Sequence, residues 1–507
     1  MNPPSHPLFL PRLALLLAAA TVSPLHAADQ PQWGERYTRN MISHETGLPE
    51  TFDLDTGKNV KWTASLGTES YSTPVIASGR VIVGANNGRP RDPRHQGNRG
   101  ILLCLDEASG DLMWQLVVPK FEDDYYLDWP RAGICSPATV EGDRVYVVTN
   151  RGEVVCLDIH GQANGNDGPF REEGRFMALS GEAPFEVTDR DADILWLFDM
   201  KAEVGMHHHD AAHSSILIHG RHLYLNTGNG VDRRHERIPS PDAPSLIVLD
   251  KTTGRLVGQD GERIGPRIFH CTWSTPASGI VNGERLILFG GGDGVCYGFK
   301  ALSPDASPAA VTTLERVWRF DCDPTAPKEN VHRYVRNRQV SPSNIKGTPV
   351  FYKNRMVVAV GGDIWWGKPE ASLKCIDATK RGDITETGLV WSYALNRHCI
   401  CTPAIYDGMV FIGDCGRTFH CVDAETGKAY WTHKTRGDIW SSALVADGKV
   451  YVGTKRNEFL IFEASREKKV IATIALESPT TSTPVAANGV LYVATLENLH
   501  AVRQAAE

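Results

Sequence analysis

The clearest unit of the hydrophobic pattern runs from Thr402 to Trp431, TPAIYDGMVFIGDCGRTFHCVDAETGKAYW. Short apolar, β-branched and aromatic runs are cut at close intervals by turn residues, a pattern of strands rather than helices. Asp407-Gly408 predicts a hairpin, because a two-residue turn of the primed type needs positive φ. Cys415-Gly416 predicts a second turn and Ala424 to Gly427 a third, with a fourth strand beginning near Trp431.

The same pattern recurs along the chain. An opening Ser/Thr-Pro or Ser-Ser pair stands at Thr73-Pro74, Ser136-Pro137, Ser214-Ser215, Thr275-Pro276, Thr348-Pro349, Thr402-Pro403, Ser441-Ser442 and Thr483-Pro484, which makes eight starts. First turns follow at Ser78-Gly79, Gly142-Asp143, His219-Gly220, Asn282-Gly283, Lys353-Asn354, Asp407-Gly408, Asp447-Gly448 and Asn488-Gly489. Outer-strand tryptophans stand at Trp114, Trp196, Trp318, Trp391 and Trp431, while the third unit (Gly254 to Val257) and the seventh (Lys469 to Ile474) lack one. Late starts are 39 and 42 residues apart, the length of one four-stranded blade; earlier intervals of 54 to 78 hold polar insertions at 89–99, 120–131, 161–193, 229–244, 301–313 and 322–345.

These repeats predict an all-β protein, an eight-bladed β-propeller of four-stranded antiparallel blades. The last unit, Thr483 to Val502, stops after three strands, and Asn59 to Ala64, with Trp62, is the expected fourth. That pairing closes the ring and leaves no open edge. The expected organisation is a leader over 1–27, a lead-in over 28–58, one propeller over 59–503 and a short tail over 504–507.

Composition narrows the function classes. Net charge is −7, with charged residues at 22% and no basic block, which excludes nucleic acid as the expected partner. Arg12, the apolar run Leu13 to Ala20 and the small residue Ala27 have the layout of a secretory leader cut after Ala27 or Ala28. No cysteine follows for lipid attachment and no second arginine adjoins Arg12. No later run reaches the about 18 apolar residues that a membrane helix needs. The expectation is a monomeric periplasmic or secreted protein without a transmembrane segment.

Of the 11 cysteines, Cys104, Cys156, Cys375 and Cys421 stand two residues before a repeat Asp or at that phase, and Cys296 matches them. A residue fixed to one phase of a buried strand is expected to pack as a small hydrophobe. Cys135, Cys271, Cys322, Cys399, Cys401 and Cys415 are left open to pairing, although Cys399 and Cys401 point to opposite faces of any strand.

The strings CVDAETGKAYW (421–431) and LCLDEASGDLMW (103–114) resemble the tryptophan-docking repeat of the pyrroloquinoline quinone (PQQ) propeller family, and LDKTTGRLV (249–257) is a decayed copy. The lead-in GLPETFDLDTGKNVKWTASLG is similar to that of exported PQQ-like propeller proteins of bacteria. The resemblance implies that each Trp packs between adjacent blades. It also implies one of two branches: quinoprotein dehydrogenases, or non-enzymatic relatives such as the propeller subunit of the outer-membrane assembly machinery. The first branch carries a vicinal Cys-Cys disulfide beside the quinone and a Glu/Asn/Asp set for calcium and the catalytic base. This chain has no Cys-Cys pair and no Cys-x-x-Cys-His haem signature, and Cys399-Ile400-Cys401 is no substitute. The second branch is lipid-anchored through a cysteine that this chain lacks.

Loops entering the innermost strands of a propeller crowd around one mouth of the axis. The residues just before seven of the eight starts are Tyr71, Arg131, His209 with Asp210 and His213, His270 with Trp273, Lys346, His398, and Asp438 with Trp440. Tyr71, Arg131, His270, Trp273, Lys346, His398 and Trp440 form the expected ring for a small ligand or cofactor. The run Met206 to His213 offers His207, His209, Asp210 and His213 to a transition metal, with His270 or His398 able to complete the set. Calcium fits less well, since it takes oxygen ligands. Asp92, Asp123, Asp124 and Asp128 fall in insertions and read as surface charge. Gly290 to Gly294 reads as a hairpin turn, because no helix follows to make a phosphate loop. Gly361-Gly362-Asp363 with Trp365-Trp366 stands at the matching point of blade five, covering a loop or walling a pocket. The expectation is a ligand-binding or protein-interaction scaffold without catalysis. The alternatives are a PQQ- or metal-dependent oxidoreductase, or a factor of envelope-protein assembly.

Overall fold

The computed structural model describes Met1 and residues 28–121, 127–210 and 215–504. The leader-like segment through Ala27 and the candidates Asp123, Asp124 and His213 lie outside the described residues. Eight antiparallel sheets follow one another along the chain. Blade six shows the regular form, Ala404–Tyr406, Met409–Asp414, Thr418–Asp423 and Ala429–Lys434, each strand pairing with the next. Blade eight is Val485–Ala487, Val490–Ala494 and Asn498–Val502, completed by Val60–Ser65 from the start of the propeller. Trp62 pairs with Ala501 and Ser65 with Asn498, so the two ends of the ring are held by one sheet.

Three blades exceed four strands. Thr312–Thr313 adds in parallel to the outer strand Leu256–Gln259 of blade three, and Gly382–Asp383 to Arg316–Asp321 of blade four. Ser343–Asn344 pairs with the far end of Arg355–Gly362 in blade five. The first of these lies in the 301–313 insertion, so that segment caps an open outer edge instead of hanging free.

The core is distributed between blades. One apolar cluster joins blades eight, one and two through Trp62, Val83, Trp114 and Leu157, and another joins blades five, six and seven through Trp391, Phe411, Trp431 and Phe462. The indole N–H groups fix the spacing. Trp62 donates to the Glu107 carbonyl (3.0 Å), Trp114 to Ile159 (2.8 Å), Trp196 to Lys251 (3.2 Å), Trp391 to Ala424 (3.0 Å) and Trp431 to Ser465 (3.0 Å). Each acceptor sits in the outer turn of the following blade. A Cβ on Gly427 would stand 2.8 Å from the Trp391 ring, and one on Gly254 2.5 Å from Trp196, so a side chain there collides with the docked indole. Cys104, Cys156, Cys375 and Cys421 lie directly opposite Trp114, Trp196, Trp391 and Trp431 on the neighbouring strand, where only a small side chain fits. All 11 cysteines are buried thiols, with Cys296 Sγ 3.4 Å from Cys322 Sγ.

The repeated Ser/Thr has a physical role that the pattern does not reveal by itself. Near the axis the amide of one start donates to the hydroxyl of the next: Ser215 to Thr275, Thr275 to Thr348, Thr348 to Thr402, Thr402 to Ser442 and Thr483 to Thr73, at 2.9 to 3.4 Å. A belt of hydroxyls thus satisfies the buried amides where blades converge and no strand partner exists.

The lead-in closes one end of the axis. Backbone amides of the inner strands donate to it: Ile76 to Gln30, Val140 to Pro31, Ser278 to Tyr37, Phe351 to Thr38 and Val445 to Met41. Asn40 exchanges two 2.8 Å bonds with the Ile405 backbone, and the Ser43 hydroxyl donates to Ala486. Seven blades therefore lend their inner edge to one short segment, and Tyr37 stacks edge-on against His219 of the remaining one. Arg39, fully buried, donates to the carbonyls of Pro276 and Trp33. Its burial lowers its pKa to about 9. The axis is thereby a cavity with a floor. No described helix is long and apolar enough to cross a membrane.

Candidate functional site

At the opposite mouth the axis opens into a cavity of about 530 Å³ with mostly apolar walls. Trp33 of the lead-in forms part of its floor, its indole donating to Thr483 Oγ1 at 3.1 Å. Trp129, Trp273, Trp365, Trp366 and Trp440 stand around the sides, with Tyr71, Cys135 and Ile400. Trp365 meets Trp273 edge-on at 5.9 Å and Trp440 at 6.1 Å, which gives a continuous aromatic wall.

The polar side of the cavity comes from blades three, four and five. Residues 229–231 lie between 207–209 and 270–272: Gly230 N donates to the His207 carbonyl, Val231 N to His270 and Thr272 N to Asn229. A Cβ on Gly230 would stand 2.8 Å from His209 Cβ and 3.0 Å from Cys271 Cβ, so only glycine lets the two flanking segments close. This clamp sets the His209 and His270 rings 4.8 Å apart. His235, from the 229–244 insertion, completes the group at 4.7 Å from His209 and 5.2 Å from His270, and its other face rests on Trp366. Burial is the main cause that lowers the pKa of His235, to about 4, and that of His209 further.

Behind His270 lies a buried charge network. Asp363 Oδ2 is 3.0 Å from Lys346 Nζ and 3.2 Å from His270 Nδ1, and Lys346 Nζ is 3.1 Å from that same ring nitrogen. Burial alone would neutralise all three groups. Lys346 and His270 nevertheless hold the Asp363 carboxyl well below its usual range. Lys346 lifts above its ordinary value and His270 rises to about 10, burial being outweighed by Asp363 in the first and by Cys271 with Asp363 in the second. The Lys346 ammonium also lies 4.0 Å over the Trp273 ring, a cation–π contact that ties the charged side to the aromatic wall.

Of the residues that the sequence points to, Tyr71, His209, Asp210, His270, Trp273, Lys346 and Trp440 line the cavity. Arg131 turns outward to Glu69 at 3.3 Å and is 70% exposed. His398 is buried, its pKa lowered to about 4 by that burial, and is not in the lining. His207 joins the clamp through its backbone, its carbonyl accepting from Gly230 N and its amide donating to Asn229 Oδ1. Asp128, expected at the surface, is 2% exposed; it accepts from Asn150 at 2.7 Å and pairs with Lys120, a partner that makes its burial affordable. Sequence reasoning passed over His235, Trp129 and Trp33 as site residues. His235 and Trp129 sit in insertions with no fixed phase to a blade start, and Trp33 belongs to the plug.

Comparison with known proteins places this geometry. The family model described as outer membrane protein assembly factor BamB matches residues 98–260 and 315–469. Quinohemoprotein alcohol dehydrogenase of Comamonas testosteroni is 26% identical over 108 residues, 19% of this chain and 15% of that protein. Its solved structure superposes with a TM-score of 0.59 at 11% identity, over 95% of this chain and 81% of that one. A 1-butanol dehydrogenase (cytochrome c) of Thauera butanivorans is 31% identical over 98 residues, 17% of this chain and 14% of that protein. BamB from Moraxella catarrhalis superposes with a TM-score of 0.51 at 14% identity, over 87% of this chain and 96% of its own. The sequence matches to the two dehydrogenases thus span less than a fifth of either, and the structural likenesses show the fold alone. The chain belongs to the PQQ-like β-propeller repeat family whose model carries the BamB description.

Proposed function

We propose that this protein binds a small planar molecule with one polar end in the blind axial cavity. The observation that carries this reading is the mixed lining of one closed-floored space: an aromatic wall of Trp273, Trp365 and Trp440 that runs directly into the His209, His270 and Lys346 group, with Lys346 4.0 Å over Trp273 and His270 5.4 Å from Trp365. Flat rings stack on tryptophan faces, and a few convergent polar groups set the orientation, which is the usual division of labour in a ligand pocket. The leader-like N-terminus and the outer-membrane description of the family model support a place in the cell envelope.

The relatives named quinohemoprotein raise the question of a calcium-held quinone, and the residues here do not fit one. Adjacent cysteines are absent from the sequence. Asp210 is the one carboxylate in the described lining, and Asp363 behind it is committed to Lys346 and His270, whereas calcium takes about six to eight oxygens. The reading is therefore binding, with no redox step assigned.

The test is a titration of the mature protein with PQQ, as a planar polar probe, followed by tryptophan fluorescence with and without calcium. Saturable quenching that is indifferent to calcium and weakened in Trp365→Ala is expected. No saturable quenching would contradict the binding reading, and dye reduction by an alcohol in the presence of PQQ would replace it with an oxidoreductase. The BamB description favours a second reading, engagement of envelope proteins at the same mouth, where Trp129 is 42% and Trp365 37% exposed. Capture of envelope proteins that Trp129→Ala abolishes, without small-molecule quenching, would favour it.

A further inference from the structure

We infer that His209, His235 and His270 form a binding site for a borderline divalent transition-metal ion, zinc or cobalt in character, at the polar side of the cavity. One ring nitrogen from each lies within 4.8 Å of the others. The ring centroids are 4.7, 4.8 and 5.2 Å apart. Three imidazoles around a tetrahedral ion with bonds of about 2.0–2.1 Å have centroids about 5 Å apart. Small ring rotations bring the nitrogens inward without moving the backbone.

The outer partners fit the same assignment. A ligating histidine ordinarily uses one ring nitrogen for the metal and gives its other N–H to a carbonyl or carboxylate, which fixes the tautomer. His209 Nδ1 is 3.0 Å from the Val231 carbonyl, and His270 Nδ1 is 3.2 Å from Asp363 Oδ2. His209 Nε2 is thereby assigned to the ion; at His270, where Nδ1 also stands 3.1 Å from Lys346 Nζ, the ion takes the place of the Nε2 proton while the Nδ1 N–H stays on Asp363. His209 Nε2 lies 3.5 Å from Asp210 Oδ1, which sets a carboxylate beside the cation. The donor set of imidazoles and one carboxylate suits zinc or cobalt rather than calcium.

A second, independent observation comes from the backbone. His235 holds φ at +61° and Asp210 at +70°, left-handed conformations that cost energy for a side-chain-bearing residue. His235 is only 6% exposed although it stands in an insertion. The 229–244 loop thus folds its imidazole inward, onto Trp366 and between the other two rings, at a cost in backbone strain. The ring so placed rests on Trp366 and stands where a third ligand is needed.

The site goes beyond the proposed ligand pocket and stands without it, since no organic molecule takes part in holding the ion. An ion there leaves a coordination position towards the cavity, where the polar end of a planar ligand would bind. The test is a cobalt titration of chelator-treated full-length mature protein with no organic ligand present. One cobalt per chain, with visible ligand-field bands and three paramagnetically shifted imidazole N–H resonances, is expected, and zinc should displace it. His235→Ala, in a loop outside the blades, should abolish stoichiometric binding. Asp363→Asn should weaken it about 10- to 100-fold through the lost outer partner. Trp440→Ala, separated from His270 by the Trp365 ring, should leave it unchanged while weakening PQQ, which separates failure of the metal site from failure of the ligand reading. Absence of stoichiometric cobalt binding by wild type, fewer than three shifted imidazoles, or wild-type affinity in a folded His235→Ala protein would each overturn the site. If a variant does not fold, the wild-type imidazole count alone decides.

Discussion

Blades six to eight and blades three to five are built from the same repeat and do different things with it. The late blades keep short turns, and their starts are 39 and 42 residues apart. The middle blades carry the insertions that deliver His235 and the tight Asp363 to Trp366 turn, and their entry loops deliver His209, His270 and Lys346. Both groups share the hydroxyl belt and the apolar seams between blades. The ring therefore secures its geometry with one set of residues, leaving the loops above the axis to carry buried charge and strained backbone. Damage to the first set should be felt in stability, and damage to the second in binding.

The largest effect should come from removing what both regions share. Deleting residues 28–66 takes away the plug and the closing strand Val60–Ser65, exposing the edge of Asn498–Val502 and the inner strands of seven blades. Loss of cooperative unfolding is expected in a denaturant titration, and a retained single transition would show that the blades close without it. Next in size, Trp431→Ala empties the seam between blades six and seven and removes the Ser465 bond. It should cost about 3–5 kcal/mol of stability, with cobalt and PQQ binding intact at a temperature where the variant is folded. Gly427→Ala drives a methyl into the docked Trp391 at a residue with φ of +71°, and should cost about 1–3 kcal/mol by the same measurement. On the other side of the comparison, Trp365→Ala should leave stability within about 1 kcal/mol and weaken planar-ligand binding about tenfold, a loss of about 1.4 kcal/mol. Equal losses of stability in Trp365→Ala and Trp431→Ala would erase the distinction.

The smallest expected effect is read by pH within the late blades alone, at the entry to blade six and in the closing blade. His398 is buried and neutral in the fold, its pKa lowered to about 4 from an ordinary 6.5. The unfolded chain takes up its proton first, so this contribution is full above about pH 6.5 and declines as pH falls towards 4. Glu477 in the closing blade is held at about 2, burial being overcome by His500 and Asn498, against an ordinary 4.5. Its contribution persists down to about pH 4.5 and is lost between there and about pH 2. A denaturant midpoint followed against pH should fall in two stages, with His398→Gln blunting the first and Glu477→Gln the second.

Much of the ring is legible in the chain because its constraints are local and repeated. At Thr73, Thr275, Thr348, Thr402 and Ser442 an amide of the preceding blade needs the hydroxyl that recurs there, and glycine recurs at the outer turn because an indole lies against it. Pairing of Trp62 with the last blade is readable because the final unit is one strand short. Part of the site is readable for the same reason: His209, His270, Lys346 and Trp440 stand one to five residues before their blade starts. That placement gives position along the axis but not direction. Arg131 shares it and turns outward to Glu69, and His398 shares it and is buried away from the cavity. His235 has no phase at all; its inward turn depends on a left-handed residue at the tip of an insertion. The plug was equally hidden, since its contacts are irregular backbone bonds to inner strands far apart in sequence.

The separation of a shared ring from a binding mouth built on blades three to five is tested most directly by one fluorescence titration. Wild type, Trp365→Ala and Trp431→Ala are each titrated with PQQ under conditions where all three are folded. Saturable quenching in wild type and Trp431→Ala, with affinity about tenfold lower in Trp365→Ala, is the predicted result. No saturation in wild type, or the same loss in both variants, would contradict it.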